Sequence, residues 1–520
     1  MKSKKLSEKI LRSIKSRGFR NIALDPVLET KYILQRSGEN FKKFLFSFYD
    51  LNGKELCLRP DLTISSVIRF IQNKKDNREK VFYSGEAFRK NYQKKDSIIK
   101  NQIGYEILGS KNKQKDDKEI IDTSLKILKN SGFKKSVLIS LAEETSKKLI
   151  KHINYLDKYI ISIDVPSGLS SIYEQKNNNT NTIIANETLC ISGIKDCCLT
   201  LKGHKYSNKL INLDIGITKY PKNYKYKFLI NPQASFNLIP KKDPYGDKRL
   251  SGETLIVGGS KKYPGSMLMA ASATLNTGVG LLSLAIPLSI YDVIAGKIPE
   301  ATLDTINNNN EFISKDNIKY LFENKKRINS LLIGCGMESN NTTQASVDFL
   351  LKNISNHFKY LNGIVIDADG LNNLSKINEW WKYKLPKNTI ITPHVREMSR
   401  LTGLSISKIN KNPIEILETY TKLWNVTIVL KGPLTFIGNP HKKYILNRPN
   451  PGLAKGGTGD VLAGMINSFL AQGLNSEHST ILAVSLISES GEISKEKYGI
   501  HGSTASKLIN NISKIINQNN

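Results

Sequence analysis

Cysteine is scarce: the 520 residues hold five, Cys57, Cys190, Cys197, Cys198 and Cys335. None has the spacing of zinc-ligand pairs, and the adjacent Cys197 and Cys198 are poorly placed to share a metal. Free thiols in a reducing, cytoplasmic setting are expected. The opening residues, MKSKKLSEKILRSIKSRGF, lack the apolar core of a secretory signal. Long hydrophobic runs are missing too. The most apolar stretch, Pro264 to Ser289, carries no charge, but Gly265, Asn276, Gly278, Gly280 and Pro287 interrupt it. A buried helix followed by a strand fits that pattern, and a membrane span does not. No internal repeat is visible.

Acidic residues are few beside basic ones: 46 Asp plus Glu against 77 Lys plus Arg, a formal net charge of +31. That balance raises nucleic acid as a partner. The lysines, however, are scattered among Asn and Ile, as in KNKQKDDK (111–118) and INNNNEF (306–312). No basic run interleaves with aromatic residues. Nucleic acid is therefore not the expected partner, and a positive field also suits small anions such as nucleotides. The hydrophobic fraction of 39% and charged fraction of 24% suit a soluble chain. The length suggests about three domains.

Residues 1–140 read as mixed α and β. LSEKILRSIKSRGF has the period of an amphipathic helix. KFLFSFYDLNGKELCLRP alternates around Asn52-Gly53, a hairpin signal. KVFYSGEAFRK and NQIGYEILG read as strands, and EIIDTSLKILKNSGF as a helix stopped by Gly132. Residues 150–222 form a second segment: YIISIDVPSGL is a strand entering a turn, KNNNTN (176–181) a loop, and NLDIGI a strand. Over 225–520, TLIVGG, LLSLAIP, SLLIGCG, GIVIDAD, TIITP and VTIVLKG are strands separated by helical patterns. That alternation predicts an α/β domain with a mostly parallel sheet and helices on both faces.

The chemistry concentrates in NPGLAKGGTGDVLAGMINSFLAQG (450–473). Gly456, Gly457 and Gly459 let backbone approach a phosphate closely. Asp460 opens a helix whose residues Val461, Leu462, Met465, Ile466, Phe469 and Leu470 form one apolar face. Free N–H groups and the positive dipole end make its tip an anion site. A carboxylate beside a bound phosphate can take the proton of an attacking hydroxyl. The plainer alternative is a glycine turn with Asp460 as a helix cap. Five further clusters sit at predicted strand ends: TLIVGGSKKYPGS (254–266), LLIGCGM (331–337), IVIDADGLNN (364–373) with Asp367 and Asp369, ITPHVREMSRL (391–401) with His394, and VLKGPLT (429–435) with Lys431. Ligands of open parallel sheets lie beyond the carboxyl ends of strands. Alone, His394 would more often be a surface or capping residue, and Lys431 a solvated charge.

NPGLAKGGTGDVLAG, TPHVREMSRL, VIDADGLN and VLKGPLT, in this order and spacing, resemble the ADP- or ATP-dependent NAD(P)H-hydrate dehydratases, of ribokinase-like fold. The resemblance covers essentially residues 230–515. It implies repair of NADH hydrate and NADPH hydrate. The nucleotide phosphorylates the C6 hydroxyl of the hydrated ring, and phosphate then leaves, restoring the dihydronicotinamide. By this resemblance Asp460 is the base and also contacts the hydrate. Ser266, Gly336 and His394 match hydrate-contacting positions. Lys431, Gly432, Pro433, Leu434, Thr435 and Gly459 match nucleotide-contacting ones. Magnesium is expected with the phosphates, and a homo-oligomer is expected. Ser266 stands where the family usually has Ala, and GCGME (334–338) replaces a usual GPGLG. A ribokinase-fold kinase for a small alcohol is the rival reading.

SIDVPSGL (162–169), IIANETLCI (183–191) and LDIGI (213–217) resemble the closing third of an NAD(P)H-hydrate epimerase domain. There Asp164 would contact the hydrate and Ser167 would ligate potassium. The earlier two-thirds of that domain, with its Asn- and Gly-rich loop, has no counterpart, so a remnant is expected. LCLRPDLT (56–63), VFYSGEAFRKNY (81–92) and KNQIGYEILG (100–109) resemble the class II histidyl-tRNA synthetase core and the regulatory subunit of ATP phosphoribosyltransferase. Arg59 and Arg89 match basic positions near that cleft, where arginine could grip a phosphate or carboxylate. A regulatory role in histidine biosynthesis is a third reading. A deletion, or an assembly artefact, joining two neighbouring genes near 137–150 would account for both truncations.

Overall fold

The computed structural model describes residues 2–37, 39–73, 77–88, 90, 99–130, 136–139, 147–155, 158–169, 182–191, 193–213, 227–306, 311–325 and 327–519. Arg89, Gly132 and the KNNNTN tract lie outside the described residues, as does 140–146 at the expected front junction. The chain forms two compact units: one holds most described residues up to 213, the other holds 227–519 with 196–204. Among the described residues, no helix is long and apolar enough to cross a membrane.

In the first unit the amphipathic opening becomes the helix Lys2–Lys15, with Gly18 at φ +80° just beyond it. Glu79–Phe88 pairs antiparallel with Ile99–Leu108, and Arg20–Asn21 adds in parallel to its other edge. The hairpin at Asn52-Gly53 joins Ser47–Tyr49 to Glu55–Leu58. Asp50 Oδ1 accepts the N–H groups of Asn52 and Lys54 there, and Gly53 has φ +75°. A separate parallel sheet lines up Lys209–Leu213, Glu187–Ile191, Tyr159–Ile163 and Ser136–Ile139 in that order.

The second unit is built on one ten-stranded sheet. In chain order its strands are β1 (Lys227–Leu229), β2 (Glu253–Val257), β3 (Leu281–Pro287), β4 (Ala301–Ile306), β5 (Ser330–Ile333), β6 (Gly363–Ile366), β7 (Asn388–Ile391), β8 (Thr427–Leu430), β9 (Thr435–Gly438) and β10 (Lys443–Leu446). Across the sheet they run β1-β10-β9-β8-β7-β6-β5-β2-β3-β4. Only β9 is antiparallel to its neighbours. Every residue of β5, β6 and β8 is buried, as expected for parallel strands covered on both faces, and this is why short unbroken apolar runs announce them. Its helices include α1 (Pro264–Asn276), α2 (Asn341–His357), α3 (Asp369–Leu374), α4 (Val395–Thr402), α5 (Pro413–Trp424), α6 (Thr458–Ala471), α7 (Ser476–Gly502) and α8 (Ala505–Gln518). The apolar stretch at 264–289 is α1 followed by β3.

Helix α6 departs from expectation. It does not present a single apolar face, because every residue from Val461 to Ala471 is buried. The cause is α1, which packs against it so closely that a Cβ at Gly464 would lie 2.3 Å from the Ala270 carbonyl oxygen. Thr274 Oγ1 donates to the carbonyls of Ala270 and Gly464, tying the two helices. Polar groups also pin α6 to the sheet. Ser330 Oγ donates to the Asn467 carbonyl at 2.7 Å, and Asn467 Nδ2 donates to Thr254 Oγ1 at 2.6 Å. These bonds fix where the tip of α6 points.

Candidate active site

The loops after β2, β5, β6, β7 and β8 and the tip of α6 meet beyond the strands' carboxyl ends. Gly457, at φ +87°, turns the chain into α6, so Asp460 falls in the first helical turn. A residue with a Cβ is strained there, which accounts for a glycine at this point of the loop. Ser266, at the start of α1, lines the same cavity as Asp460, and the Cys335 thiol, from the loop after β5, lies within 4.8 Å of the Asp460 carboxylate. Burial and the nearby negative charge of Asp367 push the Asp460 carboxyl up to about 7, against the opposing pull of Cys335, Lys431 and Ser266. Burial likewise pushes the Cys335 thiol well above its usual range.

Lys431 is not a solvated charge. Its Nζ donates to Asp367 Oδ1 at 2.6 Å, with Asp367 only 2% exposed. Thr392 Oγ1 donates to the same oxygen at 2.7 Å. Burial works against the Lys431 charge, but Asp367 and Glu397 hold its pKa above the ordinary lysine value. A Cβ on Gly459 would lie 3.4 Å from Lys431 Nζ, which sets the glycine loop directly against this pair. On the other side, a Cβ on Gly336 would lie 3.0 Å from that of Ser266. His394 is bridged to Lys431, whose N–H donates to the Pro393 carbonyl.

His394 is also the N-cap of α4. Its Nδ1 accepts the N–H groups of Arg396 and Glu397, while Glu397 Oε2 accepts the His394 N–H. Reasoning from the sequence passed over Glu397 and Thr392. The signal for Glu397 was its place three residues after a capping position.

A cavity of about 410 Å³ opens at the α6 tip, lined among others by Tyr263, Ser266, Gly456, Gly457 and Asp460. This is ample for part of a dinucleotide. His394 and Lys431 do not line it. Of the segment after β8, Gly432 and Pro433 are exposed and Thr435 half-buried, while Leu434 is buried and offers a ligand no side-chain surface.

Asp164 and Ser167 belong to the first unit. Asp164 sits at φ +67°, and its Oδ1 accepts from the Ile191 N–H and from Lys195 Nζ. The Ser167 carbonyl accepts the Ile183 N–H at 3.0 Å. Arg59, also in the first unit, is 8% exposed, and its guanidinium donates to the carbonyls of Glu86 and Leu24. It braces backbone there.

Two stretches of the chain match known protein families. A family profile described as NAD(P)H-hydrate dehydratase matches residues 254–514. A second, described as histidyl-tRNA synthetase, matches residues 1–160. The chain is 29% identical over 390 residues to the bifunctional NAD(P)H-hydrate repair enzyme of Dictyoglomus turgidum, covering 71% of this chain and 70% of the relative. That stretch is longer than 254–514 and so takes in residues before 254. The ADP-dependent (S)-NAD(P)H-hydrate dehydratase of Xanthomonas campestris is 28% identical over 276 residues, 53% of this chain and 91% of its own length. Among solved structures, a ribokinase-like superfamily protein of Enterococcus faecalis superposes with a TM-score of 0.50 at 23% identity, over 58% of this chain and 99% of its own. That likeness establishes the ribokinase-like fold.

Proposed function

The chain belongs to the NAD(P)H-hydrate dehydratase family, and from that premise we propose how residues 227–519 carry out the repair. The substrate is the S form of hydrated NADH or NADPH, and ADP is the phosphoryl donor, as in the name of the Xanthomonas relative. The observation that carries the assignment is the placement of Asp460 in the first turn of α6, in a cavity it lines together with Ser266 and the glycine loop, where burial pushes its carboxyl up to about 7. A base poised near neutrality can take a proton at working pH without being locked in either state.

The steps balance as follows. The substrate's C6 hydroxyl oxygen attacks the terminal phosphorus of ADP while Asp460 accepts the hydroxyl proton. The bond from that phosphorus to the AMP oxygen breaks. The C6–O bond then breaks, phosphate takes the bonding pair, and the ring nitrogen lone pair fills the gap. Loss of a C5 proton restores the dihydronicotinamide. The N–H groups at the α6 tip and the glycine loop support the phosphoryl group. Ser266 orients the Asp460 carboxylate, and the Asp367–Lys431 pair holds charge beside it.

Magnesium, when bound, neutralises the phosphates. Cys335, Asp367 and Asp460 bring potential ligand atoms within 4.8 Å of one another. A thiol of raised pKa is a poor ligand for a hard ion, and Asp367 Oδ1 already holds Lys431. An oxygen of Asp367 or Asp460 would hold such an ion, which would supply neutralising charge for the phosphates.

We read residues 150–222 as an epimerase remnant. Asp164, the position that would touch substrate, is engaged by Lys195 and the Ile191 N–H. Ser167 would be the potassium ligand of that segment. The rival kinase reading predicts a stable phosphorylated alcohol. Incubating S hydrate with ADP separates the two: repair returns the near-ultraviolet absorbance of reduced nicotinamide, with AMP and phosphate released in equal amounts. Accumulation of a phosphorylated hydrate without that absorbance would favour the kinase.

A further inference from the structure

Glu397 is a buried carboxylate that the steps above leave unused. Its side chain is 8% exposed, and burial pushes its carboxyl up to about 7. It sits one helical turn into α4, where its Oε2 accepts the His394 N–H at 2.7 Å. In return, His394 Nδ1 accepts the N–H groups of Arg396 at 3.0 Å and of Glu397 at 3.1 Å. A ring nitrogen receiving N–H donors cannot itself carry a proton. A neutral His394 must therefore hold its proton on Nε2. Protonating Nδ1 would set N–H against N–H, and burial together with the Lys431 charge also lowers the pKa of the ring.

Nε2 lies 3.4 Å from Glu397 Oε1, and the His394 side chain is 47% exposed. That distance is long for an N–H···O bond. The carboxylate thus steers the Nε2–H while leaving it open to a closer acceptor. The backbone bridge from His394 to Lys431 sets the main chain of His394 beside that of Lys431, whose side chain pairs with Asp367.

We propose that the tip of α4 locks His394 as its Nε2–H tautomer, a hydrogen-bond donor only, and that Glu397 is the positioning residue that aims this donor at an acceptor oxygen of the bound hydrate. The acceptor's identity rests on the dehydratase reading, whereas the tautomer does not.

The test is nitrogen-15 NMR of the full chain labelled in its histidine rings. The His394 signals are those lost in His394→Asn, a variant that keeps a capping oxygen and so should fold. The expected pattern is a protonated Nε2 and a lone-pair Nδ1. A protonated Nδ1, or a ring averaging both tautomers, would overturn the lock. The second arm is Glu397→Gln, which keeps the shape of the side chain and an oxygen for the His394 N–H. Its KM for the hydrate should rise about fivefold to tenfold, the size of one hydrogen bond, with kcat and nucleotide affinity unchanged. An unchanged KM, or an equal loss of hydrate and nucleotide affinity with a lower Tm, would overturn the positioning role. An Nε2–H signal in a chain that turns over no hydrate would leave the tautomer standing and remove the dehydratase reading.

Discussion

Lys431 and Asp367 form an ion pair with Asp367 almost wholly enclosed. Removing one partner strands the other charge in a dry environment. Lys431→Met should cost about 3–5 kcal/mol of stability, read by chemical denaturation. Asp367→Asn combined with Lys431→Met should lose less than the two single changes together, and a double variant that loses their full sum would contradict the pairing. Asp460 makes a second prediction at this scale. Its carboxyl must be ionised to accept a proton, so kcat/KM should fall as pH drops below about 7. The folded pKa lies above the ordinary 3.8, so the folded chain binds more protons than the unfolded one between the two values. Stability should therefore decline as pH rises from about 4 to about 7 and level off above. Asp460→Asn should flatten part of that decline in a series of thermal melts. The sequence made Asp460, His394 and Lys431 visible because each sits beside a glycine, a proline or a strand end. It did not show that Glu397 is buried or that Lys431 is paired, since burial of a charge is settled by elements distant in the chain.

Helix α6 depends on α1 coming within backbone contact at Gly464. Gly464→Leu should destabilise the second unit by about 3 kcal/mol, because the nearest atoms, the Ala270 carbonyl, are backbone and cannot yield. Thermal melting of the full chain checks it, and a wild-type Tm would contradict the packing described. The same helix marks where reading the sequence stopped. Its six large apolar residues suggested one buried face, but Ala463, Gly464, Asn467 and Ser468 are enclosed as well. Small residues pack tightly against a partner without raising the hydropathy of their face. Interior strands such as β5 and β6 were legible because burial on both sides demands an unbroken apolar run. The edge strand β1, three residues long, and β4, with Asp304 inside it, carry no such run. The β9–β10 hairpin gave no strand signal strong enough to separate it from the loop after β8.

At the scale of the whole chain, the parts are unequal in what they support. Residues 254–514 match one family profile and residues 1–160 another. If the middle segment is a remnant, the chain should consume S hydrate quickly and R hydrate only as fast as R converts to S unaided. Separate time courses with the two forms check this, and R consumption at a rate matching S would restore an active epimerase. The central claim concerns Asp460 at the phosphoryl site. The most direct measurement compares the full chain with Asp460→Asn, following S-hydrate repair with ADP and, in parallel, ADP affinity. Turnover should drop by about a hundredfold or more while ADP still binds as tightly. Repair at an undiminished rate in the variant would contradict the account.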